Sequence, residues 1–203
     1  MKNALMCVMG LALVGCGSKN AEPVTSPGSA GASTSGGEVA DSGRCRAPGD
    51  GYEVTEYDTS GDDTADVRKL FKTMGEGSLS RLVLVCREAD LNGDGRKDIV
   101  RFYTDEGRPQ REEADRDFDG QIDEVTLFAD GRINQQELDT TGNGVIDTRI
   151  FYEDGQPARA ERDMKGRSTA ATWKPDRWEY YVDGRTVRIG TDLNGDGKVD
   201  RWD

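Results

Sequence analysis

The chain has 203 residues with 39 acidic against 27 basic side chains, a net charge of −12, and only 34 % hydrophobic residues. So little apolar material cannot fill a large core, and the acidic balance argues against nucleic acid or an anionic membrane surface as partner. With no histidine anywhere, Ser-His-Asp, Cys-His and histidine-zinc sites are excluded. No phosphate loop or dinucleotide fingerprint is present either, and the expectation is a protein that is not an enzyme.

In chain order the first feature is Lys2 followed by the apolar run Leu5 to Val14. It reads as a short secretory signal, too short to span a bilayer. The run ends in Leu13-Val14-Gly15-Cys16, which resembles the lipobox of bacterial lipoproteins. That resemblance implies cleavage after residue 15, acylation of Cys16 by groups such as palmitate, and a lipid-anchored protein. Gly17 and Ser18 follow the cysteine in place of an aspartate retention signal, which implies the outer membrane, on its periplasmic or its surface-exposed side. Residues 16–43 are rich in Gly, Ser, Ala, Thr and Pro and read as a disordered, flexible tether. A coil of about 27 residues has an r.m.s. reach of roughly 30 Å. The folded part is therefore expected over residues 44–203.

Of the four cysteines, Cys7 leaves with the signal and Cys16 carries lipid. Cys45 and Cys86 remain, and two leftover cysteines in an oxidising compartment usually pair. The expectation is a disulfide that staples the first folded residues to the strand Leu82 to Val85.

The folded part is dominated by a nine-residue acidic pattern. It reads Asp90-Leu-Asn92-Gly-Asp94-Gly95-Arg-Lys-Asp98, Asp115-Arg-Asp117-Phe-Asp119-Gly120-Gln-Ile-Asp123 and Asp192-Leu-Asn194-Gly-Asp196-Gly197-Lys-Val-Asp200. Oxygen side chains at positions 1, 3, 5 and 9 with glycine at 6 are what a hard cation with six to eight oxygen ligands selects. Two further copies are expected to bind more weakly. Asp139-Thr-Thr141-Gly-Asn143-Gly144-Val-Ile-Asp147 has only two carboxylates, and Asp58-Thr-Ser60-Gly-Asp62-Asp63-Thr-Ala-Asp66 has Asp63 in place of the turn glycine. A sixth stretch, Asp163 to Asp176, carries Lys165 and Arg167 where ligands belong. Cations there repel a divalent ion, so this site reads as lost.

The position-9 aspartates, Asp66, Asp98, Asp123, Asp147, Asp176 and Asp200, are spaced by 32, 25, 24, 29 and 24 residues. A period of 24 with two insertions explains the series and marks a repeat protein. Each of the first five is followed by a short apolar and aromatic strand, with pairs such as Phe102-Tyr103 and Phe151-Tyr152, and most strands then meet a turn at Glu106-Gly107, Asp130-Gly131, Asp154-Gly155 or Asp183-Gly184. Asp-Gly supplies the positive φ angles of a two-residue hairpin. The expected fold is all-β: tandem 24-residue β-hairpin repeats joined by acidic calcium-type loops.

The loop resembles the calcium-binding segment of EF-hands, dockerin modules and thrombospondin type 3 repeats, and the run Asp90 to Val100 is similar to the calcium loop of FG-GAP propeller repeats. The resemblance covers about nine residues per repeat and implies calcium on the loop oxygens alone. Position 12 holds Arg101, Thr126 and Ile150 rather than the EF-hand's bidentate glutamate, the flanks are strands by composition, and a propeller blade needs four strands where 24 residues hold two. Asp, Asn and Gly also form metal-free turns, but such turns gain nothing from converging carboxylates. Ala65, Ile122, Ile146 and Val199 put an apolar residue at position 8, where EF-type loops bridge, with Lys97 as the exception.

Trp178 and Tyr180 share a strand face and read as core, whereas Trp173 beside Lys174-Pro175 has no repeat counterpart and reads as a candidate partner contact. Trp202 is expected to cover the last repeat's open edge. These features suggest a lipid-anchored, calcium-binding structural or binding module of the bacterial cell envelope. The alternatives are a subunit of an envelope machine for adhesion, gliding motility or secretion, and a carbohydrate- or peptidoglycan-associated protein.

Overall fold

The computed structural model describes residues 43–203, which form one antiparallel sheet of twelve strands in sequence order. The strands are β1 Tyr52–Tyr57, β2 Val67–Met74, β3 Arg81–Ala89, β4 Ile99–Tyr103, β5 Pro109–Ala114 and β6 Glu124–Ala129, then β7 Arg132–Leu138, β8 Thr148–Glu153, β9 Gln156–Arg162, β10 Arg177–Val182, β11 Arg185–Thr191 and the two-residue β12 Arg201–Trp202. A 3₁₀ turn at Gly77–Leu79 joins β2 to β3. This is the expected array of tandem hairpins. The lipobox, Cys16 and the tether before Gly43 lie outside the described residues.

The meander sorts its connections by type. Every acidic loop lies at one end of the sheet, after an odd-numbered strand, and the tight turns lie at the other. At the turn end, Asp130-Gly131, Asp154-Gly155 and Asp183-Gly184 all have positive φ at both residues, as type I′ hairpins require. Glu106-Gly107 departs from that expectation. Only Gly107 is left-handed there, and the Gly107 N–H donates to Thr104 O at 2.8 Å. The result is a three-residue turn, closed by the Thr104 hydroxyl accepting from the backbone of Glu106.

A β-bulge recurs at one place in each repeat. Pairing shifts by one residue at Leu70/Phe71, Phe102/Tyr103, Leu127/Phe128, Phe151/Tyr152 and Tyr180/Tyr181. The return strand places one extra residue opposite each pair: Val85, Gln110, Asn134, Ala158 and Val187. A bulge bends its strand and increases local twist, so the same bend is applied at every repeat.

A sheet this poor in apolar residues is held by charge laid across the strands. Arg68 pairs with Glu56 at 2.7 Å and Glu88 at 3.2 Å on neighbouring strands, and Arg149 pairs with Glu137 at 3.0 Å. Glu179 takes Arg162 of β9 at 3.3 Å, and Glu112 takes Arg101. Cross-strand pairs of opposite charge each contribute roughly 0.2–1 kcal/mol. Guanidinium groups also cover aromatic rings, Arg159 over Phe151 at 4.3 Å and Arg188 over Trp202 at 3.6 Å.

Among the described residues, only the first repeats acquire a second layer. Cys45 is bonded to Cys86, as expected, and packs with Leu70, Cys86 and Val100 in a small core flanked by Tyr52, Val85 and Phe102. Beneath this segment Glu88 is fully buried and accepts the backbone N–H groups of Arg44 at 2.7 Å and Cys45 at 3.0 Å. Arg44 in turn pairs with Glu113.

At the far end Trp202, on the edge strand itself, lies beside Tyr180, ring centroids 6.0 Å apart, and over Gly190. Trp178 and Tyr180 are half-buried on one face of β10. Trp173 is not the open platform its isolation in the sequence suggested. It is half-buried, stacks under the Arg149 guanidinium at 4.4 Å and donates its indole N–H to Glu161 at 2.9 Å.

Candidate metal centres

The loops are numbered 1 to 6 in chain order, and their bases are hydrogen-bonded to one another. The position-9 N–H turns back onto its own preceding strand, as from Asp98 to Ala89 O at 2.9 Å and from Asp123 to Ala114 O at 3.0 Å. The position-1 N–H of the next loop then donates to the position-9 carbonyl: Asp90 to Asp66, Asp115 to Asp98, Asp139 to Asp123, Asp163 to Asp147 and Asp192 to Asp176, at 2.8–2.9 Å. The pairing that closes each loop is thus at position 9, not at the position 8 an EF-type loop uses. A row of buried aspartates results, comprising Asp66, Asp90, Asp98, Asp115, Asp139, Asp163, Asp176 and Asp192. Position 8 forms the floor, with Ala65, Ile122, Ile146 and Val199 half-buried. Lys97, the polar exception there, sends its ammonium to Ala65 O of the preceding loop at 2.7 Å.

Within each of the five nine-residue loops the side-chain oxygens organise the backbone. The position-1 carboxylate accepts the N–H groups of positions 4 and 6: Asp90 from Gly93 at 2.6 Å and Gly95 at 2.8 Å, Asp115 from Phe118 at 2.7 Å and Gly120 at 2.8 Å. Asp58, Asp139 and Asp192 repeat the pattern on Gly61 and Asp63, Gly142 and Gly144, and Gly195 and Gly197. Position 9 accepts from the position-2 amide: Asp66 from Thr59, Asp98 from Leu91, Asp123 from Arg116, Asp147 from Thr140 and Asp200 from Leu193. Position 5 accepts from position 7, so Asp62, Asp94, Asp119, Asn143 and Asp196 all face back into their loops. Position 3 accepts from position 5 through Asn92, Asp117 and Asn194, whereas Ser60 and Thr141 use their hydroxyls on the position-1 carboxylate. All twenty side chains read from the sequence as ligands are therefore placed in or at the base of their own loops.

How closely the carboxylates converge separates the loops. In loop 3, oxygens of Asp115, Asp117 and Asp123 all lie within 4.8 Å of one another, the one such acidic group among the described residues. The Asp119 amide bond to Asp117 favours its ionised form. Desolvation and the carboxylates of Asp119, Asp123 and Asp115 outweigh that bond, and the Asp117 carboxyl is held above its ordinary value. In loops 2 and 6 position 3 is Asn92 or Asn194, and loop 4 has only Asp139 and Asp147 as carboxylates. Burial pushes Asp139 up, but the amides of Thr141 and Gly144 reverse this and hold it below the usual range. In loop 1 the Gly61 amide lowers Asp58 and the Thr59 hydroxyl lowers Asp66.

Two loop residues occupy glycine-like conformations. Asp63 at position 6 of loop 1 has φ +66°, and Phe118 at position 4 of loop 3 has φ +65°. Both keep their amide bond to the position-1 carboxylate, so Asp63 does not break loop 1. Loop 5 keeps the base of the motif despite its insertion: Asp163 accepts the Ser168 amide at 2.5 Å, and Asp176 accepts the Met164 amide at 3.0 Å.

The donor set is all oxygen, from carboxylates, amides, hydroxyls and backbone, which fits a hard divalent cation and excludes a soft-metal site. The like-charge crowding at Asp117 is what a bound cation would relieve. Compared with known protein families and with curated proteins, the chain matches none.

Proposed function

We propose that the protein is a lipid-anchored, calcium-binding repeat module of the bacterial cell envelope, structural or binding rather than catalytic. The observation that carries the metal reading is the convergence of Asp115, Asp117 and Asp123 with Asp117 raised by its neighbours. Bound calcium supplies positive charge and oxygen-selective coordination to these loops. The chain's own residues do the rest. The position-1 aspartates hold the amides of positions 4 and 6, the position-9 aspartates tie the loop's entry to its exit, and the inter-loop N–H to carbonyl bonds pass the order of one loop to the base of the next. At an affinity on the order of 0.1 to 1 mM the sites would fill from an extracellular medium without acting as sensors.

Isothermal titration of the purified protein with calcium chloride, paired with melting in EGTA, tests the metal reading. Saturable heat and a higher melting temperature are expected, and a titration with neither refutes it. The anchor reading rests on Leu13-Val14-Gly15-Cys16 and is tested separately by detergent-phase partitioning of the expressed protein. The native protein should enter the detergent phase and Cys16→Ser should remain aqueous.

A further inference from the structure

We propose that Arg167 of loop 5 is a tethered counter-cation for Asp192, which makes loop 6 the last of its full-ligand class to take a divalent ion. The sequence ranks loop 6 with loops 2 and 3, since Asp192, Asn194, Asp196 and Asp200 are all present. The geometry separates them. Arg167 Nη2 lies 3.3 Å from Asp192 Oδ2 and 3.7 Å from Asp176 Oδ2. The guanidinium lies over the loop itself, for a Cβ on Gly195 would stand 2.7 Å from Arg167 Nη1. Lys165, two residues earlier, donates to the backbone carbonyls of Asp192 at 3.0 Å and Leu193 at 3.4 Å. The two cations that remove loop 5 from the metal-binding set are therefore both placed on loop 6.

A carboxylate oxygen offers about two lone-pair directions. Asp192 Oδ2 spends one on the Gly197 amide at 2.9 Å and the other on Arg167. The same oxygen of Asp90 and of Asp115 accepts its glycine amide, and among the described residues neither aspartate is paired with a cationic side chain. Asp192 is also fully buried, where an unpaired charge is most costly. Arg96 of loop 2 gives the contrast. Its guanidinium lies over Gly120 of loop 3, with Nη1 2.7 Å from where a Cβ would be, but it pairs with no carboxylate among the described residues. Arg167 is held without being locked. Its buried Nε, and Asp176 Oδ2 opposite, have no hydrogen-bond partner, so a divalent ion at higher concentration can displace it.

This inference rests on the calcium reading, and two arms keep their failures apart. In the first, ¹⁵N-labelled protein is titrated with calcium chloride and the position-6 amides of Gly95, Gly120 and Gly197 are followed, each of which donates to its position-1 carboxylate. Gly197 is expected to respond at a calcium concentration about tenfold above the other two, and Arg167→Gln to remove that gap. A Gly197 midpoint unchanged by Arg167→Gln while Gly95 and Gly120 titrate overturns the proposal and leaves the calcium reading standing. In the second arm, in EGTA, Arg167→Gln is expected to speed hydrogen exchange of the Gly195 and Gly197 amides about tenfold, with Gly95 and Gly120 unaffected. Unchanged exchange there overturns the counter-cation whatever calcium does. Silence of all three glycines in the first arm refutes the calcium reading alone.

Discussion

The backbone N–H of Asp115 donates to the carbonyl oxygen of Asp98 at 2.8 Å, which joins the first ligand position of one loop to the last of the loop before it. The two loops thus share a base. Order gained in either reaches the other through a main-chain bond that, short of proline at position 115, side-chain substitution leaves in place.

Loop 3 carries the sharpest prediction, because metal-free and metal-bound states pull in opposite directions. Asp117→Asn keeps an oxygen for the Asp119 amide but removes one charge from the crowded trio of Asp115, Asp117 and Asp123. Without metal it should raise the melting temperature slightly. With calcium the gain contributed by that loop should shrink but persist, since loops 2 and 6 carry Asn at the same position. Paired melts in EGTA and in millimolar calcium give both numbers, and a variant that loses stability in EGTA contradicts the account.

Acid should destabilise the metal-free protein. Asp58, Asp66, Glu106, Asp139, Asp163, Asp192 and Glu179 have folded-state pKa values below their ordinary ones, whereas Asp117 lies above. A depressed carboxylate contributes stability above its unfolded pKa, and that contribution disappears as pH falls through the folded value. A raised one has the opposite sign, and seven outnumber one. Melting temperature in EGTA should be flat near neutrality and fall below about pH 4. A rise in stability on acidification would mean that repulsion among the loops dominates instead.

Phe118 holds φ +65° with its ring 44 % exposed, at the position where the other nine-residue loops have glycine. Phe118→Gly should stabilise the protein by about 1 kcal/mol through relief of left-handed strain, with calcium binding retained. Chemical denaturation reads the change. A loss of stability would show that the ring makes a contact worth more than the strain.

The disulfide closes a 41-residue separation between Cys45 and Cys86. Replacing both with serine should cost about 2–4 kcal/mol. It should also free the segment that covers Leu70 and Val100, with increased binding of a hydrophobic dye as the second readout. The amide bonds to Glu88 and the Arg44–Glu113 pair would then still tether the segment.

Gly190 faces Trp202 and Val199, and an added Cβ would meet both at 2.9 Å. Gly190→Ala should therefore lift β12 and cost roughly 1–3 kcal/mol, with a change in tryptophan fluorescence. Loops 1 to 4 lie far along the array and should keep their calcium response.

The loops, the hairpins and the 24-residue period are legible in the sequence because each is local: Asp at position 1, glycine at 6 and Asp-Gly at the turn fix backbone angles within a few residues. The Cys45 to Cys86 bond follows from elimination once two cysteines are assigned elsewhere. What is not legible depends on partners across strands. The repeated bulge inserts Val85, Gln110, Asn134, Ala158 or Val187, side chains with no shared chemistry, so nothing in composition marks it. Glu88 reads as one more acidic residue until the segment at Arg44, 44 residues away, is placed on it. Lys165 and Arg167 explain why loop 5 is empty of ligands. That their charges are spent on the next loop needs coordinates, as does the Arg149 contact that occupies Trp173.

Because β1 and β12 stand at opposite edges of a sheet whose strands are hydrogen-bonded only to their sequence neighbours, tension applied between the two ends acts across the strands. The rungs then open one pair at a time from the two-residue β12 inward, like a zip, rather than shearing together. The covalent tie at Cys86 sets where that opening stops. Up to that tie the first three strands stay gathered.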